Sequence, residues 1–142
     1  MKTILHSLRI HAAPEQVHRA LTTRAGLMGW WSTEVILENR PGGLIRFTFG
    51  GDFNPVMRQD EVGAGRITWT CVDGHANWAN NTFGFALEPR GAETQLHFVQ
   101  EYAQELSNEV YGSYNFNWGY YLNSLKRYCE TGQGTPFRPP QL

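Results

Sequence analysis

Met57, Gln59 and Glu61 fall at alternate positions of one stretch, so a regular strand would turn all three the same way. If that way is inward, a glutamate among apolar groups has a raised pKa and can serve as a general acid or base. If Pro55 or a bulge shifts the parity, Glu61 is instead solvated. Glu61 is the one candidate catalytic residue. Other polar groups able to orient a ligand are Gln59, Asn77 and Gln100, with the hydroxyls of Tyr114 and Tyr121. His75, in a loop near Trp78, either guards a cavity mouth or lies on the surface.

Five histidines, His6, His11, His18, His75 and His97, have no paired spacing, and neither HxxxH nor CxxC occurs, so no metal site is expected. No serine elbow, phosphate loop or dinucleotide fingerprint is present, and no cofactor is expected. Gly42-Gly43, Gly50-Gly51 and Gly63-x-Gly65 read as hairpin turns. What stands out is aromatic: Trp31, Phe47, Phe49, Trp69, Trp78, Phe83, Phe85, Phe98, Tyr114, Trp118 and Tyr121. Taken singly each reads as core. Together with Met57, Gln59 and Gln100 they could line an apolar pocket with a few convergent polar groups, the usual small-molecule site.

The elements that must position these residues are legible from periodicity. A last helix, Glu109 to Glu130, puts Val110, Tyr111, Tyr114, Trp118, Tyr121, Leu122, Leu125, Tyr128 and Cys129 into one stripe and stops at Gly132. A first strand alternates through Ile4, His6, Leu8 and Ile10. Pro14 then opens a short helix with Val17, Ala20 and Leu21 inward, and a second runs from Arg24 to Trp30. Of the adjacent Trp30 and Trp31, one should plug the core and the other close a rim. From Glu34 the period is two: Val35 to Glu38, Leu44 to Phe49, a strand interrupted or delayed by Pro55 in Phe53 to Val62, then strands centred on Trp69, Phe85 and Phe98. The expected class is α+β, a curved antiparallel sheet wrapped around the long C-terminal helix, with two short helices after the first strand. Residues 131–142 read as an extended tail of one domain spanning 1–142.

Composition bounds the function. With 142 residues, 41% hydrophobic and 18% charged, the chain suits a globular domain. Twelve basic and thirteen acidic residues give a net charge of −1, which offers nothing to nucleic acid or an anionic membrane. The absence of an apolar leader or a membrane-length run makes a cytoplasmic location the expectation. Cys71 and Cys129 sit in apolar patterns and read as reduced, inert thiols.

Leu8-x-Ile10-x-Ala12-Ala13-Pro14-Glu15-x-Val17-x-x-Ala20-Leu21, Trp30-Trp31, Gly42-Gly43, Ile67-x-Trp69 and Thr94-x-Leu96-x-Phe98 resemble the START-like, or SRPBCC, superfamily. The closing Trp118-x-x-x-Leu122-x-x-Leu125-Lys126-x-Tyr128-x-Glu130-Thr131-Gly132-x-Gly134-x-Pro136 is similar to the branch named after the activator of heat-shock-protein ATPase homologues. The resemblance implies a helix-grip fold with an elongated apolar cavity, in members that bind lipids, sterols, polyketides or other hydrophobic molecules and in some cases catalyse reactions. Two departures limit the transfer. Gln100 stands where the branch often has a histidine, so no role of that histidine carries over. Nothing here corresponds to the extra amino-terminal domain of the eukaryotic co-chaperone.

Three function classes follow: a module enclosing a hydrophobic lipid, polyketide or aromatic molecule; a polyketide cyclase- or hydrolase-like enzyme using the same cavity; and a co-chaperone-like interaction domain. Phe116 and Tyr120 lie one turn apart away from the helix stripe, which suggests either a homodimer contact or a seat for the tail through Phe137.

Overall fold

The computed structural model describes residues 2–140. Seven strands, β1 (Thr3–Ile10), β2 (Val35–Leu37), β3 (Leu44–Phe47), β4 (Val56–Val62), β5 (Arg66–Asp73), β6 (Thr82–Arg90) and β7 (Glu93–Glu101), form one antiparallel sheet in the order β1-β7-β6-β5-β4-β3-β2. Helices α1 (Pro14–Thr22) and α2 (Arg24–Trp30) connect β1 to β2, the two edge strands, and α3 (Asn108–Thr131) follows β7. The sheet curls without closing, and the helices fill its concave side. This is an α+β helix-grip fold.

Strand alternation builds the core. Ile67, Trp69 and Cys71 on β5, Phe83, Phe85 and Leu87 on β6, and Leu96, Phe98 and Gln100 on β7 are all buried, while the residues between them are more exposed. From α3, Trp118, Leu122 and Leu125 are buried against them, together with Ser124, whose place in the stripe its polarity concealed. The other stripe residues, Val110, Tyr111, Tyr114, Tyr121, Tyr128 and Cys129, are half-buried along its flanks. Ser107 caps the helix by accepting from the Val110 N–H at 3.2 Å, and Gly132 ends it at φ 85°.

α3 also closes one side of the sheet. The Tyr111 hydroxyl donates to the Thr3 carbonyl at 2.8 Å, and Lys126 Nζ donates to the Arg9 carbonyl at 2.6 Å, so helix side chains occupy acceptors on the edge strand β1. Both cysteines are free; Cys71 is buried and Cys129 half-buried, and burial pushes the Cys129 thiol up to about 12.

Of the two readings of Pro55, the delay is the one found: β4 begins at Val56, and the preceding segment is a loop ordered by Asn54. Two expectations need correction. Both Trp30 and Trp31 are buried, so neither is an exposed rim residue. The tail does not cover Phe116 and Tyr120. Phe137 instead exchanges backbone hydrogen bonds with Trp31 and Thr33, which leaves Phe116 76% and Tyr120 50% exposed. Residues 141–142 of the expected tail lie outside the described residues. No helix among the described residues is long and apolar enough to cross a membrane.

Candidate functional site

The site grows from two loops that meet the middle of α3. In the loop after β3, Gly50 and Gly51 take φ of 110° and 57°, and the Asn54 side-chain oxygen accepts the N–H groups of Phe49 and Gly50 at 3.0 and 2.9 Å. This fold-back brings the Phe49 and Phe53 rings to 5.7 Å. In the loop after β5, His75 Nδ1 accepts the Asn77 N–H at 3.0 Å and starts a single 3₁₀ turn, Ala76–Trp78. Buried Asn81 holds that turn by donating to the Asn77 carbonyl. Asn77 Nδ2 in turn donates to the Tyr114 hydroxyl on α3 at 3.3 Å.

Between these loops, α3 and the tail lies a cleft of about 490 Å³, lined by Trp31, Phe49, Gly50, Phe53, His75, Trp78, Tyr114, Asn117, Trp118, Tyr121 and Phe137. Aromatic rings make most of its surface. The polar groups are the His75 imidazole, the Asn117 amide and the tyrosine hydroxyls, and no carboxylate is among the lining residues. His75 packs edge-on against Phe53 at 5.4 Å and its Nε2 lies 4.0 Å from an Asp52 carboxylate oxygen. Burial pushes the Tyr121 phenol above its ordinary pKa, so it stays a neutral donor at neutral pH.

Of the residues expected to line a cavity, Trp31, Phe49, Trp78, Tyr114, Trp118 and Tyr121 come together here. Phe47, Met57, Trp69, Phe83, Phe85 and Phe98 face inward but are packed solid, each no more than 1% exposed. The reason is Trp31. Its indole fills the middle of the grip, with the rings of Phe47, Phe49, Trp69, Trp78 and Trp118 at 4.4 to 6.2 Å, so the open space ends at this side chain.

The polar candidates separate. Gln59 is buried but donates to the Glu38 and Gly43 carbonyls at the β2–β3 connection, away from the cleft. Glu61 is on the outside: the β4–β5 register shifts between Gln59 and Glu61, and the carboxylate pairs with Arg66 at 3.3 Å. Gln100 is fully buried beneath the cleft, its Oε1 accepting the Trp118 indole N–H at 2.7 Å. Phe53, Asn117 and Phe137 were not anticipated. They stand in a loop, on the polar side of a helix and in the tail, where periodicity carries no facing information.

A sheet gripping a long carboxy-terminal helix, with a cleft at the helix midpoint, defines a START-like (SRPBCC) domain. The family model described as Activator of Hsp90 ATPase homolog 1-like protein matches residues 11–130, and the chain belongs to that family. Among solved structures, the Aha1 dimer from Colwellia psychrerythraea is similar at 28% identity, with 94% of this chain and 100% of that one covered and a TM-score of 0.83. A conserved protein of unknown function from Enterococcus faecalis is 22% identical, covering 95% and 75% of the two chains, with a TM-score of 0.74. DynU16, from the dynemicin biosynthetic locus, is 19% identical over 94% of this chain and 49% of its own, with a TM-score of 0.77. No curated protein matches significantly.

Proposed function

We propose that the protein binds a hydrophobic small molecule in the aromatic cleft between α3 and the loops after β3 and β5. The observation that carries this reading is a cleft of about 490 Å³ walled by rings from five separate parts of the chain. That volume falls in the range of ligand sites, and ring-walled clefts with a few polar groups favour flat apolar molecules. Each Å² of apolar surface removed from water contributes about 25 cal/mol, with orientation left to His75, Asn117 and the tyrosines. The fold likeness to a protein of a small-molecule biosynthetic locus agrees with this.

Native mass spectrometry of the protein purified from its host, followed by denaturing extraction, tests the reading. The expected result is an apolar adduct at one per chain. Phe53 is half-buried and walls the cleft from a loop, so Phe53→Asp should lose the adduct while folding normally. A protein that arrives empty and takes up no apolar probe would overturn it. The cyclase-like alternative is the same cleft with His75 as its acid or base, and turnover abolished by His75→Gln with binding intact would favour it over simple carriage.

We also infer that Phe116 and Tyr120 form a contact between two copies of the chain. They are the aromatic pair left open on α3, and the similar Colwellia protein is a dimer in solution. Sedimentation should give a concentration-dependent dimer that Phe116→Asp converts to monomer. An unchanged sedimentation coefficient in that variant would remove the pair from any interface.

A further inference from the structure

Two polar groups of the cleft are set by a residue outside it. Asn77 is not among the lining residues, yet it bonds to two that are. Its backbone N–H donates to His75 Nδ1 at 3.0 Å, and its side-chain Nδ2 donates to the Tyr114 hydroxyl at 3.3 Å. Asn77 is itself clamped. The fully buried Asn81 donates to its carbonyl at 3.1 Å and accepts the Ala103 N–H at 2.8 Å, so the 3₁₀ turn is tied to the segment after β7.

A ring nitrogen that accepts a hydrogen bond carries no proton. In neutral His75 the proton is therefore on Nε2, which makes that atom a donor and not a base. Nε2 makes no hydrogen bond among the described residues. The Asp52 carboxylate oxygen facing it is 4.0 Å away, beyond hydrogen-bond range, on a side chain 95% exposed. The His75 side chain is itself only 22% exposed and has the Phe53 ring against it at 5.4 Å, so its N–H stands in an aromatic wall. Tyr114 stacks on the same Phe53 ring at 6.2 Å, and with one lone pair taken by Asn77 its O–H remains to be donated. A hydrocarbon laid over such donors strands them. A site built to hydrogen-bond its ligand discriminates strongly against a ligand without the matching group.

We propose that His75 is a specificity-determining residue of the cleft: held as an Nε2–H donor by the Asn77 N–H, it selects flat apolar ligands that carry a hydrogen-bond acceptor. The inference rests on the binding reading above and is tested separately from it. Phenanthrene and phenanthridine are matched flat probes that differ by one ring C–H replaced by an acceptor nitrogen. Equilibrium dialysis in mildly alkaline buffer, where both are uncharged, gives the affinity of each. His75→Ser keeps an oxygen able to accept the Asn77 N–H, as serine does at helix starts, and removes the donor. It should weaken phenanthridine about tenfold relative to phenanthrene, the worth of one hydrogen bond. Long-range proton–nitrogen NMR of the wild-type protein keeps the test open if that variant folds poorly. His75 Nδ1 should resonate as an unprotonated nitrogen and Nε2 as a protonated one, with Nε2 shifting further on phenanthridine than on phenanthrene. Equal losses of both probes in His75→Ser would reduce His75 to a turn cap, and a proton found on Nδ1 would make Nε2 an acceptor; either result overturns the inference while the cleft stands. Failure of wild-type protein to bind either probe would overturn the cleft reading and this inference with it.

Discussion

Glu93 ties three parts of the chain through its two oxygens, one on His11 Nδ1 at 2.6 Å and the other on Arg9 at 3.2 Å. Those hydrogen bonds, His11's first, hold its carboxyl below the usual range. Glu130 is also lowered: burial opposes this, but Lys126 Nζ at 2.7 Å and the His11 backbone N–H at 2.8 Å outweigh it. A depressed folded pKa adds stability above the unfolded value and loses it as pH falls through the folded one. Urea midpoints should therefore hold steady at neutral pH and decline from about pH 5 downward, less steeply in Glu130→Gln. A Glu130→Gln profile parallel to wild type would assign the acid sensitivity elsewhere. The same scale shows how far the site could be read. Phe49, Tyr114, Trp118 and Tyr121 were legible because strand and helix periods gave their facing, whereas Phe53 and Phe137, in a loop and the tail, were not. Parity does not say whether inward space is filled, and Trp31 fills it. One bulge in β4 was enough to send Glu61 outside.

At the scale of elements, the succession of strands along the chain and all three helices followed from pattern, because strands alternate and α3 has a continuous stripe; that β1 pairs with β7 did not. The tail did not, since a segment without a period announces nothing about where it docks. Its docking is specific. The buried Ser124 hydroxyl donates to the Trp30 carbonyl and accepts the Thr135 N–H, both at 2.7 Å, and this joins α3, α2 and the tail. Gly134 fits there because a Cβ would lie 2.5 Å from the Gly29 carbonyl oxygen and 2.8 Å from Ser124 Oγ. Gly134→Ala should therefore cost about 1–3 kcal/mol by overpacking. It should also speed exchange of the Thr135 and Phe137 amides, and weaken binding in the cleft that Phe137 helps to wall. Unaltered protection of those amides would mean that the tail is held by other contacts.

At the scale of the whole molecule, two surfaces of opposite character share α3. Its inner side completes the aromatic grip, and its outer side carries Phe116 and Tyr120. Occupancy of the cleft and association of two copies would both act on this helix. The Tyr111 and Lys126 bonds to the β1 carbonyls have a further effect on behaviour in a crowded solution. An uncovered edge strand eight residues long is a template onto which a stray chain can add, and a row of such additions becomes a fibril. Here helix side chains occupy two carbonyls of that template, and at the opposite border β2 is only three residues long, with Phe137 joined to the Ser32–Thr33 segment just before it. Two occupied carbonyls on β1 and a β2 of three residues give an added strand little to pair with at either border, which favours side-chain contact as the route by which copies meet.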